Sequence, residues 1–170
     1  MVGDSITVGS EGPLMDRFRA LGLDVRAIDA ADGRRIAVGG SSSGSGLESV
    51  AALADAVPPD LWVIALGSND VFQYTSAEEY RAAIGALLSA VPADAPVVWV
   101  DTYLAADPAR SDEFNEALRD TLEFRGTASV ADWASVASGE GVLADGIHPS
   151  EEGADQFAAV VMGAVQQWLG

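Results

Sequence analysis

An unbroken apolar run spans Leu61-Trp-Val-Ile-Ala-Leu66, shortly after Pro58-Pro59. A strand with one face in water alternates apolar and polar residues, whereas this run offers apolar side chains to both faces. Parallel strands that are covered by helices on both sides have this pattern. A second run, Pro96-Val-Val-Trp-Val100, has the same character. Both runs predict central strands of a parallel sheet, with Trp62 and Trp99 in the core.

Strand and helix patterns alternate on both sides of these runs. Parallel neighbours need crossover helices, so the alternation predicts an α/β fold with a doubly wound, five-stranded parallel sheet. The other strands are predicted at Val2 and over residues 24–29 and 128–132. Helices are predicted over residues 12–21, 47–57, 76–91 and 111–124, and from Pro149 or Ser150 to Trp168. Ser76, followed by Glu79 three residues later, has the pattern of a helix N-cap.

The composition excludes several kinds of chemistry. The 170 residues contain no cysteine, no lysine and one histidine, and 26 Asp and Glu against nine Arg give a net charge of −17. Without cysteine there is no thiolate nucleophile, disulfide or Cys-ligated metal, and without lysine there is no P-loop lysine or Schiff base. So many carboxylates argue against binding of nucleic acid or of an anionic membrane. The apolar runs are also far shorter than the roughly 20 residues of a membrane span.

The length and the 49% apolar content predict one globular domain over residues 1–170. The chain is expected to be soluble. Only Met1 and Val2 precede the first polar motif, without the pattern of a signal peptide. This start is what a domain excised from a secreted or cell-surface protein would have.

Three polar motifs follow predicted strands, and they are Gly3-Asp-Ser-Ile-Thr7, Gly67-Ser-Asn-Asp70 and Asp145-Gly-Ile-His148. Ligands of doubly wound sheets bind at the carboxyl ends of the strands, so the motifs are expected to meet at one edge. A serine needs a base and an anion-stabilising pocket to act as a nucleophile. Ser5 is the candidate nucleophile, and the single histidine, His148, is the candidate base. Asp145 can orient the ring, and Asn69 and the Ser5 backbone N–H can donate to an oxyanion.

The motifs GDSIT, GSND and DGIHP, in this order, resemble those of the SGNH hydrolase family, also called GDSL esterases and lipases, over nearly the whole chain. The resemblance implies a flavodoxin-like, three-layer α/β/α sandwich. It implies Ser5, Asp145 and His148 as the catalytic triad. It also implies an oxyanion hole made by Ser5, Asn69 and a glycine after the second strand, which we place at Gly33.

Two shorter patterns, Asp29-Ala-Ala-Asp-Gly-Arg34 and Asp132-Trp133, resemble one branch of this family. That branch contains acyltransferase-like and carbohydrate O-acetyl esterase domains. The first strand is shorter than family members usually have, since only Met1 and Val2 stand before the motif.

Several residues just beyond strand ends are candidates for substrate binding. Aromatic side chains there can wall a pocket or pack in the core, and the candidates are Phe72, Tyr74, Tyr103 and Trp133. Arg34, and with it Arg35, can either steer an anionic or sugar substrate or form ion pairs. Carboxylates at strand ends commonly cap loops and helices, so structural roles are predicted for Asp4, Asp70, Asp101 and Asp132.

The predicted function is hydrolysis of short acyl esters, acetyl above all, through an acyl-enzyme and without a metal or organic cofactor. No insertion is long enough to form a lid, so the site is expected to be open and shallow. The same residues would support an O-acetyltransferase that acts on a cell-wall or other polysaccharide. A noncatalytic carbohydrate-binding domain that keeps the motifs is a further alternative.

Two other patterns point to different chemistry. Gly40-Ser-Ser-Ser-Gly44 fits the G-x-S-x-G motif of α/β-hydrolases, with Ser42 as the nucleophile. That serine should follow a firm buried strand, whereas Ile36-Ala-Val38 is only a brief apolar run. Asp4, Asn69 and Asp70 offer oxygen ligands for a metal-dependent phosphoesterase, but such sites generally use several histidines or denser carboxylates.

Overall fold

The computed structural model describes residues 1–40, 43–56 and 58–169. One parallel sheet contains the strands β1 (Val2–Gly3), β2 (Asp29–Ala30), β3 (Trp62–Ala65), β4 (Val97–Val100) and β5 (Ala128–Ala131). Their order in the sheet is β2-β1-β3-β4-β5. This is the flavodoxin-like order, and it confirms the predicted fold class.

Helices cover both faces of the sheet. They are α1 (Ser5–Gly9), α2 (Glu11–Ala20), α3 (Gly46–Ala56), α4 (Ala77–Ser89), α5 (Pro108–Glu123), α6 (Trp133–Ala137) and α7 (Glu151–Gln166). One core lies between the sheet and α3, α4 and α5, and the second lies between the sheet and α1, α2, α6 and α7. The molecule is therefore the expected three-layer sandwich. Within the described ranges, no helix is long and apolar enough to cross a membrane.

The central strands supply both cores. In β3, Trp62 packs on one side of the sheet and Val63 on the other, and in β4 the pair Trp99 and Val98 does the same. Trp62 and Trp99 are 1% and 0% exposed, which confirms their predicted place in the core. The indole Nε1 of Trp99 donates to the carbonyl of Leu66 at 2.9 Å. That bond fixes the chain at the carboxyl end of β3.

The second strand is shorter than the sequence predicted. A strand was expected over residues 24–29, but only Asp29–Ala30 pairs with β1. The parallel register puts Val2 opposite both Asp29 and Ile64, so residues before Asp29 could pair only with residues before Val2. Met1 still bonds to this segment, because its nitrogen donates to the Ala27 carbonyl at 2.7 Å and its carbonyl accepts from Asp29 N–H at 2.9 Å, and the residues before Asp29 also line a cavity.

Two helices were not predicted, α1 and α6, and α5 begins three residues before the predicted Ser111. Asp107 caps α5 by accepting from Arg110 N–H at 3.1 Å, and Pro108 occupies the first turn, where its missing N–H costs nothing. The predicted N-cap Ser76 is confirmed, since it accepts from Glu79 N–H at 3.3 Å. Val57, the predicted end of the third helix, lies outside the described residues.

Candidate active site

The GDSIT motif turns the chain from β1 into α1. Asp4 is the N-cap of α1, and its Oδ1 accepts from Ile6 N–H at 3.0 Å, so Ser5 is the first helical residue. A helix has no internal acceptor for an N–H at that position. Gly3 is required by packing, because a Cβ there would lie 2.0 Å from Thr7 Oγ1. Asp4 thus ties the first turn to a neighbouring amide, as predicted.

Asp145 organises the loop that carries His148. Its Oδ1 accepts from the N–H of Ile147 at 3.0 Å and from the N–H of His148 at 2.8 Å. Gly146 lies inside this turn with φ of +89°, a conformation that favours glycine. The carbonyl of His148 accepts from Ala144 N–H at 2.8 Å and closes the loop. One oxygen of the Asp145 carboxylate therefore fixes the backbone of the loop, and the other oxygen is available to bond to the His148 ring.

Ser5, His148 and Asp145 lie in one hydrogen-bonded line. Asp145 Oδ2 is 2.8 Å from His148 Nδ1, and His148 Nε2 is 2.9 Å from Ser5 Oγ. A carboxylate only accepts, so Nδ1 carries the proton and Nε2 can accept from the Ser5 hydroxyl. The N–H of His148, its ring and the N–H of Ile147 together hold the pKa of Asp145 below its usual range. The side chains of His148 and Asp145 are 44% and 57% exposed, so the line opens to solvent.

Asn69 lies beside this line, in the GSND turn after β3. Gly67 precedes it with φ of +143°, and a Cβ there would lie 2.5 Å from the Phe114 ring. The amide Nδ2 of Asn69 is 3.3 Å from Asp4 Oδ2 and 3.2 Å from the carbonyl of Arg34. Because Asp4 directly precedes Ser5, these contacts bring Asn69 next to the nucleophile.

Gly33 lies in the tight turn after β2. The N–H of Arg34 donates to the carbonyl of Ala31 at 3.2 Å, and Gly33 inside the turn has φ of +69°. Within the described residues, no atom lies within 4 Å of a Cβ built on Gly33, so its backbone is open to approach. The next residue, Arg34, contacts Asn69 through its carbonyl. The structure thus brings Gly33, Asn69 and Ser5 to the same edge.

Two buried carboxylates lie beneath the site. Burial raises the pKa of Asp4 to about 6 and that of Asp70 to about 7, against opposing hydrogen bonds from Ser68 and Ile36 respectively. Both oxygens of Asp70 accept from Ile36 N–H at 3.1 Å, which ties the loop after β2 to the GSND turn. Asp70 is therefore structural, as predicted.

The other two strand-end carboxylates are structural as well. Asp101 accepts from Ala134 N–H at 2.8 Å and pairs with Arg119 at 2.8 Å. Asp132 caps α6 by accepting from Ser135 N–H at 3.3 Å. Burial raises the pKa of Asp101 to about 6.

Comparison with known proteins identifies the family. The sequence model of the GDSL-like lipase/acylhydrolase family matches residues 1–156, which include the GDSIT, GSND and DGIHP motifs. The chain belongs to this family. No curated protein matches it.

Solved structures of the same fold include a candidate SGNH hydrolase from Slackia heliotrinireducens. It is 27% identical with a TM-score of 0.73, over 97% of this chain and 96% of that one. A carbohydrate esterase family 3 protein from Talaromyces cellulolyticus is 18% identical with a TM-score of 0.79, over 99% and 96% of the two chains. The catalytic domain of Streptococcus pneumoniae peptidoglycan O-acetyltransferase A is 19% identical with a TM-score of 0.78, over 98% and 90%. At these identities the last two show the fold alone.

The aromatic candidates of this GDSL-family hydrolase divide into two groups. Phe72 is 57% exposed, and Tyr74 and Tyr103 are half-buried against the two cores. Trp133 is 1% exposed and packs edge-to-face on Phe157, with ring centres 5.2 Å apart. The prediction that Trp133 walls the substrate pocket is therefore wrong, because α6 turns its indole into the core.

Arg34 does not present its guanidinium to a substrate. The side chain is buried, donates to the carbonyl of Asp29 at 2.6 Å and pairs with the Asp29 carboxylate at 2.8 Å. The prediction that Arg34 binds substrate is therefore corrected. Its guanidinium forms an ion pair that holds the loop after β2. Arg35 is half-buried and acts electrostatically on Asp70 and Tyr74.

Two residues at the site were not singled out from the sequence. Ser68 donates a hydrogen bond from its hydroxyl to Asp4 Oδ2 at 2.5 Å. Its position inside the GSND motif is the sequence feature that could have identified it. Arg110 stacks over the Phe72 ring at 5.6 Å, which nothing in the sequence indicated.

Ser42, the alternative nucleophile, lies outside the described residues. In the described part of the chain, no group of three His, Asp or Glu side chains is placed to hold a metal ion.

Proposed function

We propose that this GDSL-family hydrolase cleaves esters of short acyl groups, acetyl above all, through an acyl-enzyme on Ser5. The proposal rests on the line from Ser5 Oγ to His148 Nε2, 2.9 Å, and from Nδ1 to Asp145 Oδ2, 2.8 Å. A hydroxyl, an imidazole and a carboxylate in this order activate a serine. With one histidine in the chain, no other imidazole can replace His148.

In the first step His148 Nε2 takes the Ser5 proton while Oγ bonds to the ester carbonyl carbon. The carbonyl electron pair moves onto its oxygen, and Asp145 stabilises the imidazolium that forms. The N–H groups of Ser5 and Gly33 and the Asn69 amide donate to this oxyanion. An oxyanion is charged, so it competes successfully with the neutral Arg34 carbonyl for the second N–H of Asn69.

The second half of the reaction releases alcohol and acid. The bond to the alcohol oxygen breaks as His148 gives its proton to that oxygen, which leaves the acyl group on Ser5. Water then attacks the acyl carbon and gives a proton to His148, and the acid departs as Ser5 recovers its proton. No metal or organic cofactor takes part in this sequence.

The openness of the site supports short acyl groups. A long chain gains roughly 0.8 kcal/mol for each methylene that it buries, so an enzyme for long chains needs an extended apolar groove. Phe72, Tyr74 and Tyr103 remain the candidate substrate contacts, and the side chains of His148 and Asp145 are about half exposed. We expect 4-nitrophenyl acetate to be turned over faster than 4-nitrophenyl palmitate. Faster turnover of palmitate contradicts the short-acyl proposal.

Covalent labelling with a fluorophosphonate, followed by peptide mapping, tests the nucleophile. Label on the peptide that contains Ser5, lost in Ser5→Ala and kept in Ser42→Ala, is the expected result. Label on Ser42 would make the chain a different kind of serine hydrolase. Absence of label and of hydrolysis in the unmodified protein, with carbohydrate binding that Ser5→Ala leaves intact, would favour a noncatalytic carbohydrate-binding domain.

A second candidate is O-acetyl transfer to a polysaccharide hydroxyl. It is favoured by the similarity of the fold to the peptidoglycan O-acetyltransferase A domain and by an exposed triad that a sugar can reach. The same acyl-Ser5 would then be resolved by a sugar oxygen instead of water. Release of acetate and acetylation of an added oligosaccharide, measured in one reaction, separate the two.

A further inference from the structure

The carboxylate of Asp4 lies under the site, where donors from two strand ends converge on it. Asp4 is 2% exposed. Its Oδ1 accepts from Ile6 N–H at 3.0 Å. Its Oδ2 accepts from the Ser68 hydroxyl at 2.5 Å and lies 3.3 Å from Asn69 Nδ2. One buried carboxylate thus links the turn that carries Ser5 to the turn that carries Asn69.

All the groups around Asp4 donate, so the acceptor-only, ionised carboxylate satisfies them best. A hydrogen bond to a charged acceptor is roughly twice as strong as one to a neutral acceptor. Asp4 is therefore the dominant partner of the Asn69 amide, ahead of the neutral carbonyl of Arg34 at 3.2 Å.

The amide of Asn69 has two possible orientations, related by a half-turn that exchanges its oxygen and nitrogen. With nitrogen towards Asp4, an N–H bonds to the carboxylate and the second N–H stays on the nitrogen side, near the Arg34 carbonyl. After a half-turn the amide oxygen of Asn69 would face the Asp4 carboxylate and the Arg34 carbonyl. The negative charge of the first and the dipole of the second would both repel that oxygen. The charged Asp4 carboxylate, assisted by the neutral Arg34 carbonyl, thus selects the orientation that offers N–H groups.

We propose that Asp4 is a positioning residue, whose carboxylate holds the Asn69 amide in the orientation that donates to the oxyanion. This inference rests on the proposed function, in which Asn69 stabilises the oxyanion. In Asp4→Asn the buried carboxylate becomes an amide that both donates and accepts, so it no longer selects between the two orientations of Asn69. Part of the population then turns an oxygen, not an N–H, towards the developing negative charge.

A double-mutant cycle on 4-nitrophenyl acetate tests the proposal. Removal of one oxyanion donor typically lowers kcat by about 10² to 10³-fold, and we expect this of Asn69→Ala. Asp4→Asn is expected to lower kcat by about 10 to 100-fold with KM changed less than about twofold, because a misplaced donor affects the transition state. In Asp4→Asn/Asn69→Ala, kcat should be no lower than in Asn69→Ala alone.

Asp101→Asn is the matched control for this cycle. Asp101 is also 2% exposed and also follows a strand, but its carboxylate serves Ala134 N–H and Arg119. We expect both Asp101→Asn and Asp4→Asn to lower the unfolding temperature, and we expect Asp101→Asn to leave kcat within about twofold in either background. Losses that multiply in the Asp4→Asn/Asn69→Ala protein overturn the proposal, because Asp4 would then act independently of Asn69.

Ser5→Ala separates this inference from the function on which it rests. If Ser5→Ala keeps its turnover, the proposed hydrolysis itself fails. If Ser5→Ala is inactive and the Asp4 and Asn69 losses multiply, only the positioning role fails.

Should Asp4→Asn not fold, nuclear magnetic resonance on the unmodified protein gives the answer. The Asn69 Nδ2 resonance is expected to move with the ionisation of the Asp4 carboxyl carbon. His148 acts electrostatically on Asp4, and Asp4 acts on Asp70, so both of these neighbours are followed through their own resonances. An Asn69 amide that stays unchanged while Asp4 titrates overturns the proposal.

Discussion

At the carboxyl edge of the sheet polar side chains bond to one another, whereas at the amino edge apolar side chains line a cavity of about 230 Å³. The carboxyl edge joins the turns after β1, β2 and β3 through Asp4, Asn69 and Asp70. The amino edge is lined by residues before β2 and at the start of β3, among them Val25, Ala27 and Leu61. The cavity therefore lies at the opposite edge of the sheet from Ser5.

The difference follows from the register of the central strand. β1 contains Val2 and Gly3, and these residues pair with Ile64 and Ala65 in the carboxyl half of β3. The Arg26–Asp24 pair at the cavity mouth, 3.0 Å long and more than half exposed, contributes little. We expect substitutions of Asp4, Asn69 and His148 at the carboxyl edge to change activity, and substitutions at the amino edge to change stability without changing activity.

The largest expected effect is that of His148→Ala on kcat/KM for 4-nitrophenyl acetate. Loss of the base that accepts the Ser5 proton should lower kcat/KM by about 10⁴-fold or more. The ring is half exposed, so the unfolding temperature should change little. Leu23→Ala, at the cavity, is the opposite control, with a lower unfolding temperature and unchanged kcat/KM. A His148→Ala protein that keeps a tenth of the activity would remove His148 from the mechanism.

Part of this edge could be predicted from the sequence, because GSND follows the apolar run of β3 and the three motifs stand in an order that resembles the SGNH hydrolase family. The first helix could not. Ser5-Ile-Thr-Val8 has three β-branched residues and modest helix propensity, and α1 forms because Asp4 caps it and Ile6 packs in the core.

The sequence also did not predict which side chains point into the interior. Trp133 and Arg34 stand just after strands, as Phe72 does, but α6 turns Trp133 inward and the Asp29 carboxylate draws Arg34 into the interior. The contact between Asp4 and Asn69 joins residues 65 positions apart in the chain. Such contacts depend on the final packing of the loops, which local patterns do not encode.

A smaller effect is expected in the pH dependence of stability, which distinguishes the buried carboxylates from the exposed one. The pKa of Asp70 is raised to about 7 and that of Asp4 to about 6 in the folded protein. Between about pH 4 and these values the folded state binds more protons than the unfolded state, so stability falls as pH rises. From pH 5 to pH 8 we expect a loss of about 2 kcal/mol from Asp70 alone, seen as a falling unfolding temperature.

Asp70→Asn should make that decline shallower, whereas Asp55→Asn, an exposed position on α3, should leave it unchanged. Asp145 acts in the opposite sense, because its pKa is lowered on folding. Its contribution is present above the ordinary aspartate range and is lost only in strong acid. An unfolding temperature that rises from pH 5 to pH 8 contradicts this assignment.

The smallest expected effect is a gain in stability from filling the cavity at the amino edge. Ala27 lines that cavity, and Ala27→Val adds two methyl groups there. Burial of these groups should add about 1 kcal/mol, or roughly 2–4 °C in unfolding temperature, with kcat/KM unchanged.

Ala31→Val is the matched control at the other end of the same segment, where the N–H of Ala31 bonds to the Gly3 carbonyl and the loop leads to Gly33. It should bring no gain in stability. An equal gain at both positions would mean that the carboxyl edge is packed as loosely as the amino edge, and the contrast between them would fail.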